Sequence, residues 1–411
     1  MVSFDAKEGK LTLHNYMDFD DLKDYVQIGY EVTCDGMVTE SGEIPPFSVP
    51  PHGEGTTKLN VQVPRAGRVY LNITYALKKD VPLIPASHIM GFDEVLLQNE
   101  DGRNQRTVGL LTRKESEESK GYGIQVEETD CAVLCTGENF ICEYNKRTAM
   151  FDRIVFDHID YLNRPMEVNI WRAPTDNDRY IGKEWKRAHY HEAVSRAYDT
   201  LVTQTENGVE IVSHASVCAA AVQRILDLQI TWRIDADGGI EGKMDAVKNS
   251  EFPILPRFGV RLFLNRRLDD VSYYGMGPSE SYCDKHRASR HGLFHAKAGE
   301  LHEDYIRPQE NGSHYDCDYV VITNGGNAFG KFGLAVAAKN RFSFNVSEYT
   351  QEELENTAHY DQLTKSDSTI LCIDYKQNGI GSNSCGPEVL EAYCFDEEAF
   401  SFAFWLRPFK E

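Results

Sequence analysis

Apolar and polar residues alternate along much of the chain, and this alternation predicts strands far more often than helices. In residues 225–234 every second position is apolar, which is the period of a strand with one buried face. The run ends at Gly238-Gly239, a turn sequence, and alternation resumes at 240–244. The C-terminal run 400–407 shows the same period. These patterns predict antiparallel sheets joined by short turns.

The first quarter of the chain carries several such runs at short spacing. Residues 25–32, 59–63 and 69–75 each alternate, and Asp35-Gly36 after the first of them is a hairpin-turn sequence. Short strands at this spacing are typical of an immunoglobulin-like β-sandwich. We therefore predict such a domain over residues 1–105.

The stretch that follows is polar and then gives way to strands again. Residues 99–123 are rich in Glu, Lys, Ser, Gly and Asn, which favours a solvated linker, predicted at 106–125. Strand patterns dominate 126–411, so the predicted fold class is all-β. Helical periodicity occurs at 178–197 and at 350–356, where Thr350 is placed to cap the helix and Glu353 to reach back to it.

The densest cluster of polar chemistry lies in residues 171–179. Pro174 favours an extended residue before it, and Asp176 and Asn177 favour a turn. One interpretation is an acidic turn whose Asp178 caps a helix. The other is a polar loop that faces the hydroxyl groups of a sugar. Residue types alone do not choose between them.

A second polar cluster, residues 307–312, contains Glu310. Its carboxylate has the geometry to accept two hydroxyl groups of a sugar. It is equally suited to an ion pair with Arg307 or Arg290, which is the commoner outcome for a carboxylate in a sheet-rich core.

Composition excludes some classes of function. The chain has 43 basic and 64 acidic residues and a net charge of −21, which disfavours a nucleic-acid partner. No apolar run has the length of a membrane span, and the N-terminal residues lack the apolar core of a signal peptide, so we expect a cytoplasmic location. The ten cysteines contain no Cys-x-x-Cys pair and the histidines no His-Glu-x-x-His motif, so we expect reduced thiols and no metal site.

Six motifs together resemble a known family. Residues 170–178 (IWRAPTDND) resemble the segment that opens the C-terminal domain of large β-galactosidases of glycoside hydrolase family 2. Further matches follow in the order that this family shows, at residues 255–260, 274–282, 305–312, 342–347 and 379–387. The resemblance is strong from about residue 126 to the end and looser over 1–105.

The resemblance implies a fold and a division of labour. It implies a large galactose-mutarotase-like β-supersandwich over 126–411, preceded by the immunoglobulin-like domain. Members of the family catalyse from a (β/α)₈ barrel, which takes about 250 residues of alternating strands and helices. No stretch of this chain has that alternation, so we expect no catalytic residue here. The acid/base and nucleophile of a retaining mechanism would lie elsewhere.

The same resemblance implies partners and site residues. The expected partners are galactoside sugars, a catalytic barrel domain or subunit, and a second copy in a homo-oligomer, in a bacterial cytoplasm. No cofactor is expected in this chain, because Mg and Na of the family belong to the barrel. The implied substrate-rim candidates are Arg172, Asp176, Asn177, Asp178, Glu310, Asn311, Ser384 and Cys385.

Cys385 marks a departure from the family pattern. Some members carry a tryptophan in the loop that corresponds to 381–387, where it stacks on the sugar. The sequence here is Ser384-Cys385-Gly386, which offers no aromatic face. We therefore expect this loop to shape the pocket without stacking.

Two kinds of function remain open. The leading hypothesis is a non-catalytic C-terminal part of a β-galactosidase that completes the active-site rim and domain or oligomer contacts. The alternative is a stand-alone carbohydrate-binding or aldose epimerase-like module. Epimerase chemistry needs a general acid and base, and Glu310 with His286 or His314 is the candidate pair.

Overall fold

The structure, a computed structural model, describes residues 2–99, 123–205, 208–326 and 330–411. The chain divides into two compact units, Met1–Val108 with His291–Leu293, and Gly109–Arg290 with Phe294–Glu411. The linker predicted at 106–125 lies outside the described residues except for its last three positions. Gln125 already belongs to a strand, and the linker itself stays a prediction.

The first unit is a sandwich of two antiparallel sheets. Its elements are β1 (Val2–Asp5), β2 (Lys10–His14), α1 (Leu22–Tyr25), β3 (Val26–Cys34), β4 (Met37–Ile44), β5 (Glu54–Lys58), β6 (Arg68–Leu77) and β7 (Ile89–Asn99). One sheet has the order β1-β2-β5 and the other β4-β3-β6-β7. This is the strand order of an immunoglobulin-like sandwich, so the predicted class of this unit is confirmed.

Two sequence predictions in this unit had different outcomes. The Asp35-Gly36 turn joins β3 to β4, and both residues have left-handed φ values, 47° and 79°, as a two-residue hairpin turn requires. The strand predicted at 59–63 is wrong, because β5 ends at Lys58. Leu59 is buried in the core, and Val61 and Val63 pack against it. The alternation there records burial of an extended segment outside the sheet ladder.

The second unit consists of antiparallel sheets with short helices between them. Its strands are β8 (Gln125–Glu128), β9 (Ala132–Thr136), β10 (Phe140–Asn145), β11 (Met150–Phe156), β12 (Ile159–Asp160), β13 (Leu162–Asn169), β14 (Val194–Thr205), β15 (Gly208–Cys218), β16 (Leu226–Asp235), β17 (Ile240–Lys248), β18 (Arg257–Asn265), β19 (Asp270–Gly277), β20 (Arg290–Lys297), β21 (Ser313–Thr323), β22 (Phe332–Ser347), β23 (Ser368–Gln377) and β24 (Ala399–Lys410). Its α-helices are α2 (Ile181–Arg187) and α3 (Gln351–Asn356). Single 3₁₀ turns occur at Asp176–Asp178, Tyr190–Glu192, Ala298–Leu301, Tyr360–Gln362 and Glu391–Tyr393.

The strands of this unit form two sheets over one core. A five-stranded sheet has the order β12-β11-β10-β9-β8. A twelve-stranded sheet follows the path β13-β18-β23-β22-β24-β17-β16-β15-β14, with β21, β19 and β20 attached in turn through β22. Phe151 of the smaller sheet meets Trp232 of the larger one edge to face at 4.9 Å. The prediction of an all-β chain that ends in a large supersandwich is confirmed.

The helix predicted at 178–197 is much shorter than expected. It is reduced to the 3₁₀ turn Asp176–Asp178, α2 and a second 3₁₀ turn, and the chain is a strand again from Val194. His189 adopts a left-handed φ of 58°, which ends the helix. The helix predicted at 350–356 is confirmed. Thr350 Oγ1 accepts from the Glu353 amide at 3.1 Å, whereas Glu353 turns to the Thr364 amide.

A buried histidine makes the second unit sensitive to acid. His314 is 1% exposed, its Nδ1 donates to the Met276 carbonyl at 3.1 Å, and its Nε2 finds no partner in the described residues. Burial lowers the pKa of His314 from 6.5 to about 4. The unfolded chain therefore binds the extra proton first as the pH falls, and folding stability is lost across this interval.

We expect His314→Asn to reduce this loss, because an asparagine amide can keep the bond to Met276 without titrating. The wild type should lose about 3 kcal/mol more unfolding free energy than the variant between pH 6.5 and pH 4. Urea denaturation at both pH values measures the difference. Equal pH dependence of the two proteins would contradict the assignment.

Candidate functional site

Residues 170–178 follow β13 and turn Arg172 into the interior. The Asn169 side chain accepts from the Trp171 amide at 3.1 Å and fixes the exit from the strand. Arg172 is fully buried and makes a bidentate pair with Asp178, at 2.6 and 3.1 Å. Two of its other N–H groups donate to the carbonyls of Asn378 and Gly379 at 2.5 and 3.0 Å. The guanidinium thus connects this motif to the base of the loop 379–387.

Asp178 is also the residue that shapes the turn. Its Oδ2 accepts from the amide and the hydroxyl of Thr175 at 2.9 and 3.1 Å. With 2% exposure, it is oriented toward Arg172 and the turn. Asp178 therefore shapes the 3₁₀ turn, with Arg172 as its counter-charge. The interpretation that Asp178 caps the following helix is wrong, because α2 begins after Tyr180 and has no side-chain cap.

Glu310 belongs to a buried charge cluster. Arg257, fully buried on β18, donates to Glu310 at 2.5 Å and makes a bidentate pair with Asp374 of β23 at 2.5 and 3.0 Å. The second oxygen of Glu310 accepts from the Ala173 amide at 3.2 Å. Burial raises the pKa values of Glu310 and Asp374, and the Arg257 guanidinium opposes that rise.

The ion-pair interpretation of Glu310 is confirmed, but its suggested partners are wrong. The guanidinium that pairs with Glu310 is Arg257 rather than Arg307 or Arg290. Arg257 lies in the 255–260 motif. Its spacing from Glu310 does not indicate a contact, because the two segments are distant in the sequence and strand pairing alone brings them together. Asn311 is 5% exposed, and its side chain bonds only backbone groups in the described residues. It accepts from the Glu303 amide and donates to the Gln309 carbonyl.

The other candidates lie where two loops meet. The Asn177 side chain donates to the Gly381 carbonyl at 2.8 Å and accepts from the Ser384 amide at 3.2 Å. Asp176 is exposed, and its amide donates to the Gln309 side chain at 2.8 Å. Ser384 is half-buried and Cys385 is exposed at the loop tip. The structure therefore brings the 171–179, 307–312 and 379–387 motifs together.

A groove of about 630 Å³ opens at this junction. Its walls come from the two motifs 174–179 and 307–309, from α2, and from the end of α3. The polar groups that line it are Thr175, Asp176, Asp178, Arg179, Lys183, Lys186, Arg307, Gln309, Glu355, Asn356 and Ser384. This mixture of donors and acceptors suits the hydroxyl groups of a sugar.

Sequence reasoning missed two residues that position the site. Asp284 accepts from the amides of Ile380 and Gly381 at 2.9 and 2.7 Å and so holds the base of the loop 379–387. Gln309 lies in the 305–312 motif, and both ends of its side-chain amide face Asp176. The motif pointed to Gln309, but nothing in the spacing of Asp284 indicated its role.

The pair suggested for epimerase chemistry is not assembled as an acid and a base. Glu310 is 3% exposed and engaged by Arg257. His314 Nδ1 donates to Met276, and His286 Nδ1 donates to the Tyr282 carbonyl at 3.0 Å. A general base needs a lone pair directed at substrate, and the buried Glu310 does not present one.

The described residues contain neither a cluster of metal-binding side chains nor a helix suited to a membrane. There, no three His, Cys, Asp or Glu side chains converge in a way that would hold a metal ion. In the same part of the chain, no helix has the length and apolar character needed to span a membrane.

Comparison with known protein families identifies the family of this chain. The profile described as Beta galactosidase small chain matches residues 136–406, and that described as Beta-galactosidase, domain 4, matches residues 11–98. The chain belongs to the β-galactosidase family. The resemblance inferred from the motifs is thus confirmed.

Individual relatives support the same family assignment. The β-galactosidase of Actinobacillus pleuropneumoniae is 38% identical over 97% of this chain, and that of Staphylococcus xylosus is 32% identical over 97%. This chain covers only 38% and 39% of those two proteins. Among solved structures, a galactose 1-epimerase from Lactobacillus acidophilus aligns with 70% of this chain and 98% of its own, at 10% identity and a TM-score of 0.36.

In this β-galactosidase chain, Arg257 should be the residue on which the buried cluster depends. Arg257→Met would leave the carboxylates of Glu310 and Asp374 buried without a counter-charge, at a cost of about 3–5 kcal/mol in unfolding free energy. Arg307→Met, in the exposed groove, is the matched control and should change stability by less than about 0.5 kcal/mol. Urea denaturation of both variants tests this, and equal effects would disprove the assignment of the ion pair.

Proposed function

We propose that this chain is the non-catalytic C-terminal part of a β-galactosidase that hydrolyses terminal β-D-galactosides, and that its groove forms one rim of the sugar site. The observation that carries the proposal is the bridge made by Asn177 to Gly381 and Ser384. This bridge unites two family motifs at the edge of the groove, with Asp176 exposed beside it.

The candidates divide into a supporting set and a contact set. Arg172, Asp178, Glu310 and Asn311 are buried and bonded within the chain, which suits them to hold the loops in place. Asp176, Asn177, Ser384 and Cys385 are the members exposed enough to meet a ligand. We propose that the supporting set acts on the sugar only through the position of the contact set.

The chemistry itself is proposed to reside outside this chain. A retaining glycosidase needs two carboxyl groups about 5–5.5 Å apart, one of them free to act as a nucleophile. The buried carboxylates Asp178, Glu310 and Asp374 are each ion-paired with an arginine, and Glu310 and Asp374 share Arg257. A barrel domain or subunit, with its Mg and Na ions, would supply the reacting groups, and this chain would need no cofactor of its own.

The partner surface is proposed to surround the groove. Tyr180, Ile306 and Leu390 are large apolar residues with 52%, 77% and 68% of their surface exposed. We propose that they belong to one apolar surface, as is typical of a face that another domain or a second copy covers. Trp185 of α2 does not belong to this surface, because it is fully buried and donates to the Ile254 carbonyl. A cytoplasmic location and the absence of a nucleic-acid partner belong to the same proposal.

We expect Asp176→Ala and Asn177→Ala, made in the complete β-galactosidase, to raise KM for a nitrophenyl galactoside about tenfold. The reason is that each removes one polar contact or its support, and about 1.4 kcal/mol corresponds to a factor of ten. Asp130→Ala, an exposed carboxylate in the turn after β8, is the matched control. Unchanged kinetic constants in both rim variants would contradict a role for this motif at the sugar site and leave it a purely structural turn.

We expect the purified chain alone to hydrolyse no nitrophenyl galactoside and to cause no mutarotation of D-galactose. The first result follows from the proposed location of the catalytic carboxylates, and the second from the engagement of Glu310 by Arg257. Absorbance and polarimetry measure the two activities. Hydrolysis that persists through repeated purification would contradict the proposal, and mutarotation would favour the epimerase-like alternative.

A further inference from the structure

The conformation of the loop 379–387 depends on a carboxylate that does not line the groove. Asp284 Oδ1 accepts from the Ile380 amide at 2.9 Å, and its Oδ2 accepts from the Gly381 amide at 2.7 Å. Both oxygens of one side chain are thus engaged by two consecutive backbone amides. Such paired bonds fix the orientation of the peptide group between the two residues.

Gly381 connects this carboxylate to the proposed contact residues. Its amide donates to Asp284, whereas its carbonyl accepts from the Asn177 side chain at 2.8 Å. Asn177 in turn accepts from the Ser384 amide at 3.2 Å. The φ of Gly381 is 64°, a left-handed value that glycine adopts without strain. A displacement of Gly381 would therefore move the acceptor that orients Asn177.

The segment that carries Asp284 also bonds the 305–312 motif. Glu280 accepts from the Tyr305 hydroxyl at 2.5 Å and from the Gly312 amide at 3.0 Å. A tight turn, closed by backbone hydrogen bonds in both directions, follows and presents Asp284 to the other loop. One short segment thus holds both motifs, and its two carboxylates divide the contacts between them.

We propose that Asp284 is a positioning residue for the sugar site. Its carboxylate keeps the loop 379–387 in the conformation in which Asn177 and Ser384 can meet the substrate, and it acts on the sugar only through them. This inference rests on the proposed function of the groove, and it adds a residue outside the groove on which substrate binding depends.

The contact requires a carboxylate rather than any polar side chain. Both terminal atoms of Asp284 face N–H donors, and a carboxylate offers an acceptor oxygen at each of them. Asparagine has the same shape, but one of its terminal atoms is itself a donor. Asp284→Asn therefore replaces one of the two bonds by a donor that faces a donor, with little change in volume.

Gly379 offers an independent way to disturb the same carboxylate. A Cβ atom at this position would lie 2.8 Å from Asp284 Oδ2 and 2.9 Å from a side-chain carbon of Val389. Because both distances are shorter than van der Waals contact, Gly379→Ala should displace the carboxylate without changing its chemistry. Gly91→Ala is the matched control, since a Cβ atom there would meet no described atom within 4 Å.

Hydrogen exchange of the 411-residue chain tests the contact apart from any activity. We expect the amides of Ile380 and Gly381 to exchange about tenfold faster in Asp284→Asn and in Gly379→Ala, because each variant weakens their acceptor. Gly91→Ala and Asp130→Asn, an exposed carboxylate, should leave both amides unchanged. Urea denaturation identifies a variant that fails to fold, in which case the other one decides. Unchanged exchange in the folded variants would overturn the proposal.

Kinetics of the complete β-galactosidase test the consequence for the sugar. We expect Asp284→Asn to raise KM for a nitrophenyl galactoside about fivefold, as loss of one hydrogen bond predicts, with kcat changed by less than about twofold. A residue that acts through another has no effect once that partner is removed. The double variant Asp284→Asn with Asn177→Ala should therefore have a KM within about twofold of Asn177→Ala alone.

The outcomes separate this inference from the proposed function. If Asn177→Ala raises KM but Asp284→Asn does not, the role of Asp284 is overturned and the proposed rim remains. Multiplication of the two effects in the double variant would have the same meaning, since it shows that the residues act independently. A wild-type KM in Asn177→Ala would instead contradict the proposed rim, and with it the role of Asp284.

Discussion

Two buried arginines hold together the segments that form the candidate site of this chain. Arg172 connects the 170–178 motif to the carbonyls of Asn378 and Gly379, and Arg257 connects β18 to Glu310 and Asp374. Both guanidinium groups are fully buried. Taking such charges out of water is costly, and the cost is offset only when carboxylates and carbonyls satisfy nearly every N–H group. A small displacement of any of these segments would leave a buried charge unpaired.

Because the buried arginines already fix the backbone of these segments, a few short side chains are enough to join the two loops. Asn177 and Ser384 meet through an amide and a backbone group, and neither belongs to a long regular element. The buried Arg172 fixes the positions of both residues. It binds Asp178, next to Asn177, and also the base of the 379–387 loop, which carries Ser384. Placement of polar groups within fractions of an ångström requires such supporting contacts. We infer that the polar residues of the motif include both buried supporting groups, such as Arg172 and Asp178, and exposed ones, such as Asp176.

Sequence reasoning recovered most of the sheet structure because alternation records burial directly. It placed β6, β16 and β24 within one to three residues of their observed bounds. It failed at 59–63, where alternating residues pack on the core without joining a ladder. It also overextended the helix after Asp178, since periodicity does not reveal that His189 takes a left-handed conformation. Register and backbone handedness depend on tertiary contacts that a local pattern does not contain.

The site was predictable as a set of motifs but not as a set of roles. In the 171–179 motif, two aspartates of the same type have different surroundings. Asp178 shapes the turn and neutralises Arg172, whereas Asp176 is exposed beside the groove. What separates two aspartates two positions apart is the direction of each side chain, and that direction follows from Arg172, which lies between β13 and the turn. The role of a carboxylate here is therefore decided by the nearest buried counter-charge, which composition and spacing do not specify.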